Sequence, residues 1–243
     1  MKKRGSHIGF ILSFVIFVVF VFFLFTILEP ITKAKKDKEA TLEYLKLRLT
    51  EEMSGNLTTS SVILEKDKNK GCFYIDTLGW ELKQNVVVKD EDENLVDSSY
   101  SESKLNINYV GGKKLYKIYS SEEILTGGES PSGTCTRLTE GTEYTIGLTK
   151  TEKQIFEGKI VAVKRRYDEN YDTLKSDLKI PANNDFYFKL VYNDKNGNEQ
   201  IIEPNSQENK PNSNTEVYGE ELFVHYVDVE ANLKPGKLII QVW

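Results

Sequence analysis

The segment IGFILSFVIFVVFVFFLFTIL, residues 8–28, contains no charged side chain over 21 consecutive positions. As an α-helix with a rise of about 1.5 Å per residue, it would be roughly 31 Å long, close to the ~30 Å hydrocarbon core of a bilayer. A cleaved secretory signal usually has a shorter apolar core of ~7–15 residues and then a site with small residues, which residues 26–30 do not provide. A buried helix is rarely apolar on every face over such a length. The sequence therefore predicts a retained transmembrane helix.

Basic residues lie on both sides of this segment, so they mark its orientation only weakly. They are Lys2, Lys3 and Arg4 before it, and Lys33, Lys35, Lys36 and Lys38 after it. Long domains, however, translocate with little regard to their charge. The glycosylation motif Asn56-Leu57-Thr58 also suits an exterior location. We expect a basic cytoplasmic leader at residues 1–7 and a single-pass membrane protein with the bulk of the chain extracytoplasmic.

The rest of the chain is acidic. The sequence contains 32 Lys and Arg against 37 Asp and Glu, and without the three basic residues of the leader the balance is 29 against 37, or −8. This balance argues against binding to nucleic acid and against adhesion to anionic lipid headgroups. We therefore expect the lipid bilayer as a partner and no nucleic acid.

The two cysteines of the chain, Cys72 and Cys135, can form one intrachain disulfide. The bridge would close a loop of about 60 residues and would stabilise the fold by ~4 kcal/mol on the loop-entropy model. The alternative is a pair of buried free thiols.

Residues 29–55 follow the apolar segment and have the pattern of an amphipathic stalk helix. Pro30 predicts a kink or a short break, because proline lacks the backbone N–H and its ring crowds the preceding turn. Beyond it, four apolar residues recur on one helical face and form a packing seam: Leu42, Leu45, Leu49 and Met53. Gly55 suits the C-terminal cap. The seam has two interpretations, docking on the chain's own head or packing on the stalks of other subunits.

Residues 58–150 have a strand-like pattern, with short apolar runs between turn residues. The runs are 62–64, 72–75, 86–88, 105–109, 115–119 and 144–148. Gly111-Gly112, between two of these runs, is a hairpin signal. Their spacing of ~10–15 residues predicts a β-sandwich-like domain.

Residues 151–243 combine a helical pattern with later strands. One helical face recurs from near Gly158 until Ile180-Pro181, and its members are Ile160, Val163, Tyr167, Tyr171, Leu174 and Leu178. Asn196-Gly197 predicts a tight hairpin between strands at 186–192 and 200–203. Strands at 222–229 and 237–243 are expected around a turn with Pro235-Gly236. The expected fold is therefore α+β: a long N-terminal transmembrane helix and stalk, a β-sandwich-like region, and a helix plus antiparallel β-sheet domain.

No pattern typical of a catalytic or metal site is convincing. His225 follows Phe223 in a strand pattern and is expected to be a structural residue of the sheet, since one histidine cannot make a zinc site alone. Ser101-Glu102-Ser103-Lys104 has the spacing of a serine–lysine hydrolase without the companion motifs. Asp90-x-Asp92-x-Asn94 begins like a calcium loop but lacks its glycine and its final glutamate. Asp194-x-Asn196-x-Asn198 suits a hairpin turn. We expect no enzyme activity, no cofactor and no metal.

The opening MKKRG-S, the apolar helix and the stalk together resemble type IV pilin-like proteins and archaeal membrane-anchored surface proteins. In the pilin-like family a peptidase cuts after the glycine of the leader, which corresponds here to cleavage between Gly5 and Ser6. Pro30 is similar to the helix-kinking proline of pilin stems, and PGKLIIQVW, residues 235–243, looks like the closing strand of the archaeal proteins. The sequence departs from the family at Phe10, where a glutamate is usual.

The resemblance implies a non-enzymatic subunit of a surface filament, a minor pilin or pseudopilin. Its partners would then be identical or related subunits, contacted through the N-terminal helix. The alternative is a stand-alone membrane-tethered protein: an adhesin, an envelope-binding module or a stator component of a filament. The two hypotheses differ in whether the N-terminal helix drives assembly or only tethers the head.

Overall fold

A computed structural model describes residues 6–66, 71–77, 85–125, 128–205, 210–213 and 215–243. The fold is α+β, as predicted. The helices are α1 (Ser6–Glu52), α2 (Glu157–Glu169) and α3 (Tyr171–Asp177). The strands are β1 (Ser54–Leu64), β2 (Cys72–Asp76), β3 (Val86–Asp90), β4 (Leu95–Val96), β5 (Ser98–Ser101), β6 (Lys104–Asn108), β7 (Leu115–Ser120), β8 (Thr136–Arg137), β9 (Tyr144–Ile146), β10 (Lys150–Phe156), β11 (Phe186–Asn193), β12 (Glu199–Ile202), β13 (Tyr218–Val227) and β14 (Leu233–Val242).

The strands form two sheets. The ten-stranded sheet has the order β12-β11-β14-β13-β10-β1-β7-β3-β4, with β9 also paired to β1, and the four-stranded sheet has the order β5-β6-β2-β8. A shared core joins the two sheets, since Val62 and Tyr116 of the larger one cluster with Phe73 and Ile107 of the smaller one. The larger sheet also contains strands from both halves of the head, because β1 is antiparallel to β10 from Ser54↔Ile155 onwards.

The predicted disulfide is present. Cys72 at the start of β2 is bonded to Cys135, next to β8, with a Cα–Cα distance of 4.6 Å. The bridge joins positions 63 residues apart in sequence and fastens the smaller sheet across its β2–β8 side.

One long helix precedes the head. α1 runs from Ser6 to Glu52 without a break at Pro30, and the chain passes into β1 within two residues of its end. All four seam residues are buried in a cluster with α2, α3 and the strands β11, β13 and β14; they are Leu42, Leu45, Leu49 and Met53. The head of the same chain therefore covers the seam.

The helical pattern predicted between Gly158 and Ile180 forms two helices instead of one. The backbone leaves the helical region at Asn170, which has φ −156° and ψ 66°, and α3 begins at the next residue. The Asn170 side chain accepts a hydrogen bond from Thr173 Oγ1 at 2.7 Å, so its local polar contact competes with a continuous helix. The apolar face still reaches the core from both helices, with Tyr167 on α2 and Leu174 on α3.

The predicted hairpin turn at Pro235-Gly236 was wrong. Both residues lie inside β14, opposite His225 and Val224 of β13, and the turn is formed by residues 228–232. Pro235 fits the strand because the pairing of β14 with β11 begins only at Gly236, so that the missing N–H leaves no gap in that ladder. The Asn196-Gly197 hairpin between β11 and β12 is confirmed.

The Gly111-Gly112 hairpin was also wrong. β6 belongs to the four-stranded sheet and β7 to the ten-stranded sheet, so the connection crosses from one sheet to the other. Tyr116 supports this crossing, because its hydroxyl oxygen accepts a hydrogen bond from the Val110 N–H at 3.0 Å. A local glycine pair cannot distinguish a crossing from a hairpin, since that choice depends on which strands the flanking residues pair with.

Candidate membrane anchor and surfaces of the head

The first part of α1 extends away from the head. Residues Gly9–Ile27 form a 19-residue stretch that is long and apolar enough to cross a membrane, and none of it is buried against the rest of the chain. Phe10, Phe22 and Phe25 are each at least 70% exposed. So large an apolar surface is unfavourable in water at about 25 cal/mol per Å². The length and composition of the stretch are those of a membrane span or of a signal sequence. Gly5 lies outside the described residues, and Ser6 is the first residue of α1.

Polar contacts fasten α1 to the head at the level of Lys38. The Asn184 amide donates to Thr41 Oγ1 at 2.9 Å, and both residues are buried. Lys38 Nζ donates to Asn184 Oδ1 and to the carbonyl of Asn183. Desolvation by burial lowers the pKa of the Lys38 ammonium group, with a partly opposing effect of the Asp185 carboxylate.

A second contact lies two turns further along the helix. Lys46 Nζ is 3.1 Å from the Glu220 carboxylate of β13 and also contacts Glu43. Hydrogen bonds to Glu43 and Glu220 raise the pKa of Lys46. Together with the buried seam, these contacts make residues 38–52 of α1 structurally part of the head, whereas the exposed apolar stretch is not.

The structure explains the sequence patterns that resembled catalytic motifs. Ser101 and Lys104 are paired across a two-residue hairpin turn, whose central residues Glu102 and Ser103 have φ of 49° and 61°. His225 lies in β13 on the same face as Phe223, as predicted, and its side chain is exposed. Within the described residues, no group of three or more His, Cys, Asp or Glu side chains is arranged to hold a metal ion.

The calcium-like motif is a hairpin loop that occurs three times in the described part of the chain. The loops are residues 90–94, 194–198 and 228–232. In each, the first aspartate carboxylate accepts the backbone N–H groups of the third and fifth residues, and the fifth residue, an asparagine, donates its side-chain amide back to the same carboxylate. The carboxylate oxygens are therefore occupied by N–H donors. The third loop, DVEAN, was not singled out from the sequence.

A buried lysine anchors the third loop. Lys89 of β3 is 1% exposed, and its Nζ donates to the carbonyl of Ala231 at 3.0 Å and to Asn232 Oδ1 at 2.7 Å. Desolvation by burial lowers the pKa of Lys89, against smaller opposing effects of nearby carboxylates. The lysine joins β3 to the β13–β14 turn across the far face of the larger sheet, where Leu57, Phe156 and Val227 form a separate apolar cluster. Its role is structural.

A groove of about 570 Å³ lies between the end of α1 and β13. Apolar side chains form much of its wall, with Leu47 from the helix and Leu222, Phe223 and Val224 from the strand. Leu47 is 67% exposed and Phe223 is 89% exposed. Sequence reasoning missed this groove because it depends on how the helix lies beside the strand.

The comparisons with known proteins returned no relative. No protein family model, no curated protein and no solved structure matches the chain.

Proposed function

We propose that the chain is a single-pass membrane protein with residues 1–7 in the cytoplasm and a non-catalytic head outside the cell, acting as a pilin-like subunit of a surface filament. The observation that carries the proposal is the form of α1. Its uncovered apolar stretch, Gly9–Ile27, has the length of a bilayer span, while residues 38–52 of the same helix are built into the core of the head.

The disulfide supports an extracytoplasmic head. Cys72 and Cys135 are bonded, and disulfides persist mainly in oxidising compartments outside the cytosol. A retained helix with the head on that side agrees with the long translocated domain expected from the sequence.

The continuity of α1 supports a subunit over a loosely tethered module. Because no linker separates the apolar stretch from the head, packing between the spans of neighbouring subunits would also set the positions of their heads. The seam of Leu42, Leu45, Leu49 and Met53 is already covered, so contacts between subunits would use the apolar stretch and the head surface. Because the buried seam cannot pack on the stalks of other subunits, it also favours a second candidate, a stand-alone membrane-tethered binding module.

Mass spectrometry of the mature N-terminus tests the pilin-like assignment. A chain that begins at Ser6 is expected, since cleavage after Gly5 is the processing that the resemblance implies. A chain that keeps Met1, or lacks only Met1, would contradict this assignment. The tethered module would then be the remaining candidate. Resistance to alkaline extraction from membranes tests the retained anchor separately, and release of the protein would overturn it.

A variant of the full chain distinguishes a filament subunit from a tethered module. The span at residues 9–27 is replaced by nineteen leucines, which keeps its length and apolar character and removes its particular packing surface. A filament subunit should lose its span-mediated multimers in chemical cross-linking of membranes. A tethered module should behave as the unchanged chain does, and that result would favour the second candidate.

A further inference from the structure

Two strands in one half of the larger sheet, β13 and β12, each have an edge on which no described strand is paired. β13 pairs with β14 along its whole length, but on its other side it meets β10 only at Tyr226 and Val227. Residues 218–225 of β13 therefore form one open edge. β12 forms the other, since it pairs only with β11. The block β12-β11-β14-β13 thus ends in an open strand on each side.

The strand registers identify the edge residues whose backbone N–H and C=O groups point outwards. Asp185 and Trp243 exchange two backbone hydrogen bonds of 2.9 and 3.0 Å, which identifies them as a hydrogen-bonded pair between β11 and β14. In antiparallel pairing such pairs alternate with non-hydrogen-bonded ones. The registers then direct the N–H and C=O groups of Gly219, Glu221 and Phe223 away from β14, and those of Ile201 away from β11.

The two edges present apolar side chains on matching faces. Ile201, Val191, Lys237 and Phe223 lie opposite one another across the four strands, so the exposed Ile201 and Phe223 share the outer face. The next row, on the α1 side, is Ile202, Leu190, Leu238 and Leu222. Each edge therefore offers one apolar residue to each face.

The strand directions are also compatible. Each neighbour in the block is antiparallel to the next, so β12 runs opposite to β13. Two copies with the same orientation can thus place β12 of one antiparallel to β13 of the other. Antiparallel pairing of two β13 edges would instead need a two-fold axis perpendicular to the sheet, which would reverse α1 in one copy and point its apolar stretch away from a shared membrane.

We propose that β12 of one copy adds to the open edge of β13 in a second copy, with Ile201 opposite Phe223 and Ile202 opposite Leu222. Ile202 enters the groove beside Leu47, and backbone hydrogen bonds form at the Ile201–Phe223 pair. The contact is head-to-tail, so every added copy leaves one edge of each kind open for the next. It deepens the proposed function, on which it rests for the common membrane and the parallel anchors.

Disulfide trapping tests the register directly. Two tagged full-length chains, one with Ile201→Cys and one with Phe223→Cys, are produced in the same membranes and mildly oxidised. A hydrogen-bonded antiparallel pair has a Cα–Cα distance of about 5.5 Å, within the range that a disulfide spans. A mixed dimer is expected. Leu148→Cys, whose native residue is 81% exposed in the connection between β9 and β10, replaces Phe223→Cys in the control and should give none. No mixed dimer, or dimers mainly between Phe223→Cys chains, would overturn the proposal.

A charge exchange provides a second measurement. Phe223→Lys and Ile201→Glu should each reduce the multimer fraction at least tenfold, and the double variant should restore it through a Lys–Glu pair. Leu148→Lys should leave it unchanged. Unaffected single variants would contradict the proposed contact. If no mixed dimer forms but the protein resists alkaline extraction, the proposed contact is overturned and the membrane anchor is not. If a mixed dimer forms but alkaline treatment extracts the protein, the anchor is overturned and the contact is not.

Discussion

At the residue scale, the clearest feature is the five-residue Asp-x-x-x-Asn loop that closes three hairpins. Its fourth position has positive φ in every case: 65° at Glu93, 81° at Gly197 and 58° at Ala231. This backbone region favours glycine and is strained for residues with a Cβ. Only one loop uses glycine there, so the aspartate–asparagine contacts must hold the other two in the same conformation.

Gly197→Ala should lower the free energy of unfolding by about 1 kcal/mol, from the backbone strain alone. An added Cβ at this position would meet no atom within 4 Å, so steric contact makes no contribution. Gly158→Ala, within α2, is the matched control and should be neutral or stabilising, because alanine favours a helix. Denaturant unfolding of the detergent-solubilised protein measures both, and equal effects of the two changes would contradict the strain at Gly197.

The Asp228 carboxylate should make stability depend on acid pH. Burial acts to raise its pKa, but hydrogen bonds from Lys234 and Asn232 outweigh burial, so that the pKa in the folded protein lies below its ordinary value. Stability from this group is therefore present above the unfolded pKa of about 3.9 and is lost as pH falls through the folded pKa.

Asp228→Asn keeps an oxygen for the loop hydrogen bonds but removes the ion pair with Lys234, whose atoms are 2.7 Å apart. The variant should be less stable than the unchanged protein at pH 7, and the difference should shrink as the pH approaches 3. Thermal unfolding across this range measures it, with Asp172→Asn, an exposed acid on α3, as the charge control. A difference that grows towards low pH would refute the assigned direction.

At the element scale, α1 has two regions with different surroundings. Its apolar stretch is uncovered, whereas the four seam residues are buried against α2, α3 and the sheet. The same heptad-like spacing would suit contact with another helix, so the pattern alone does not identify the surface it meets. In the fold, residues of β11, β13 and β14 from the same chain meet this face of α1.

Leu45→Ala should lower the free energy of unfolding by about 2–5 kcal/mol, the usual range for a leucine removed from a packed core. Leu45 is fully buried, whereas Leu47 on the same helix is 67% exposed, and Leu47→Ala should change stability by less than about 0.5 kcal/mol. Chemical unfolding of both variants gives the comparison. If Leu45→Ala changed the oligomeric state and left unfolding unaltered, the seam would be a contact between subunits.

At the scale of the whole molecule, the ten-stranded sheet joins the two regions that the sequence suggests as separate units. β1 pairs with β7 on one side and with β10 on the other. β10 in turn pairs with β13 through a short parallel contact. Because α1 packs on this sheet from about Lys38 onwards, that part of the helix belongs to the fold.

A chain that begins at Lys33 should fold as a water-soluble protein. It lacks the apolar stretch but keeps Lys38, Thr41 and the seam, so the core beneath α1 stays covered. A chain that begins at Ser54 should aggregate or unfold, since it exposes the core residues that α1 buries. Soluble yield and circular dichroism compare the two, and a stable fold for the shorter chain would show that α1 is not required by the head.

Much of the local structure was predictable from short segments. Residues 8–28 predict the apolar part of α1, the recurrence of Leu45 and Leu49 predicts its buried face, and Asn196-Gly197 predicts its hairpin. Pro235-Gly236 and Gly111-Gly112 misled the prediction, because each dipeptide suits a turn in isolation. The break at Asn170 was missed, since the apolar spacing continues through it.

The sequence by itself determined the apolar helix, the periodic faces and most strands, because these depend on residues close together along the chain. Only the tertiary structure decided that the head covers the seam of α1, that β1 and β10 join two regions into one sheet, and that β12 and β13 keep edges to which no strand of the described residues is paired. These features depend on which distant strands pair and in which register. A strand's own residues present the same backbone groups to any partner, so the choice is made by the core that the whole chain assembles.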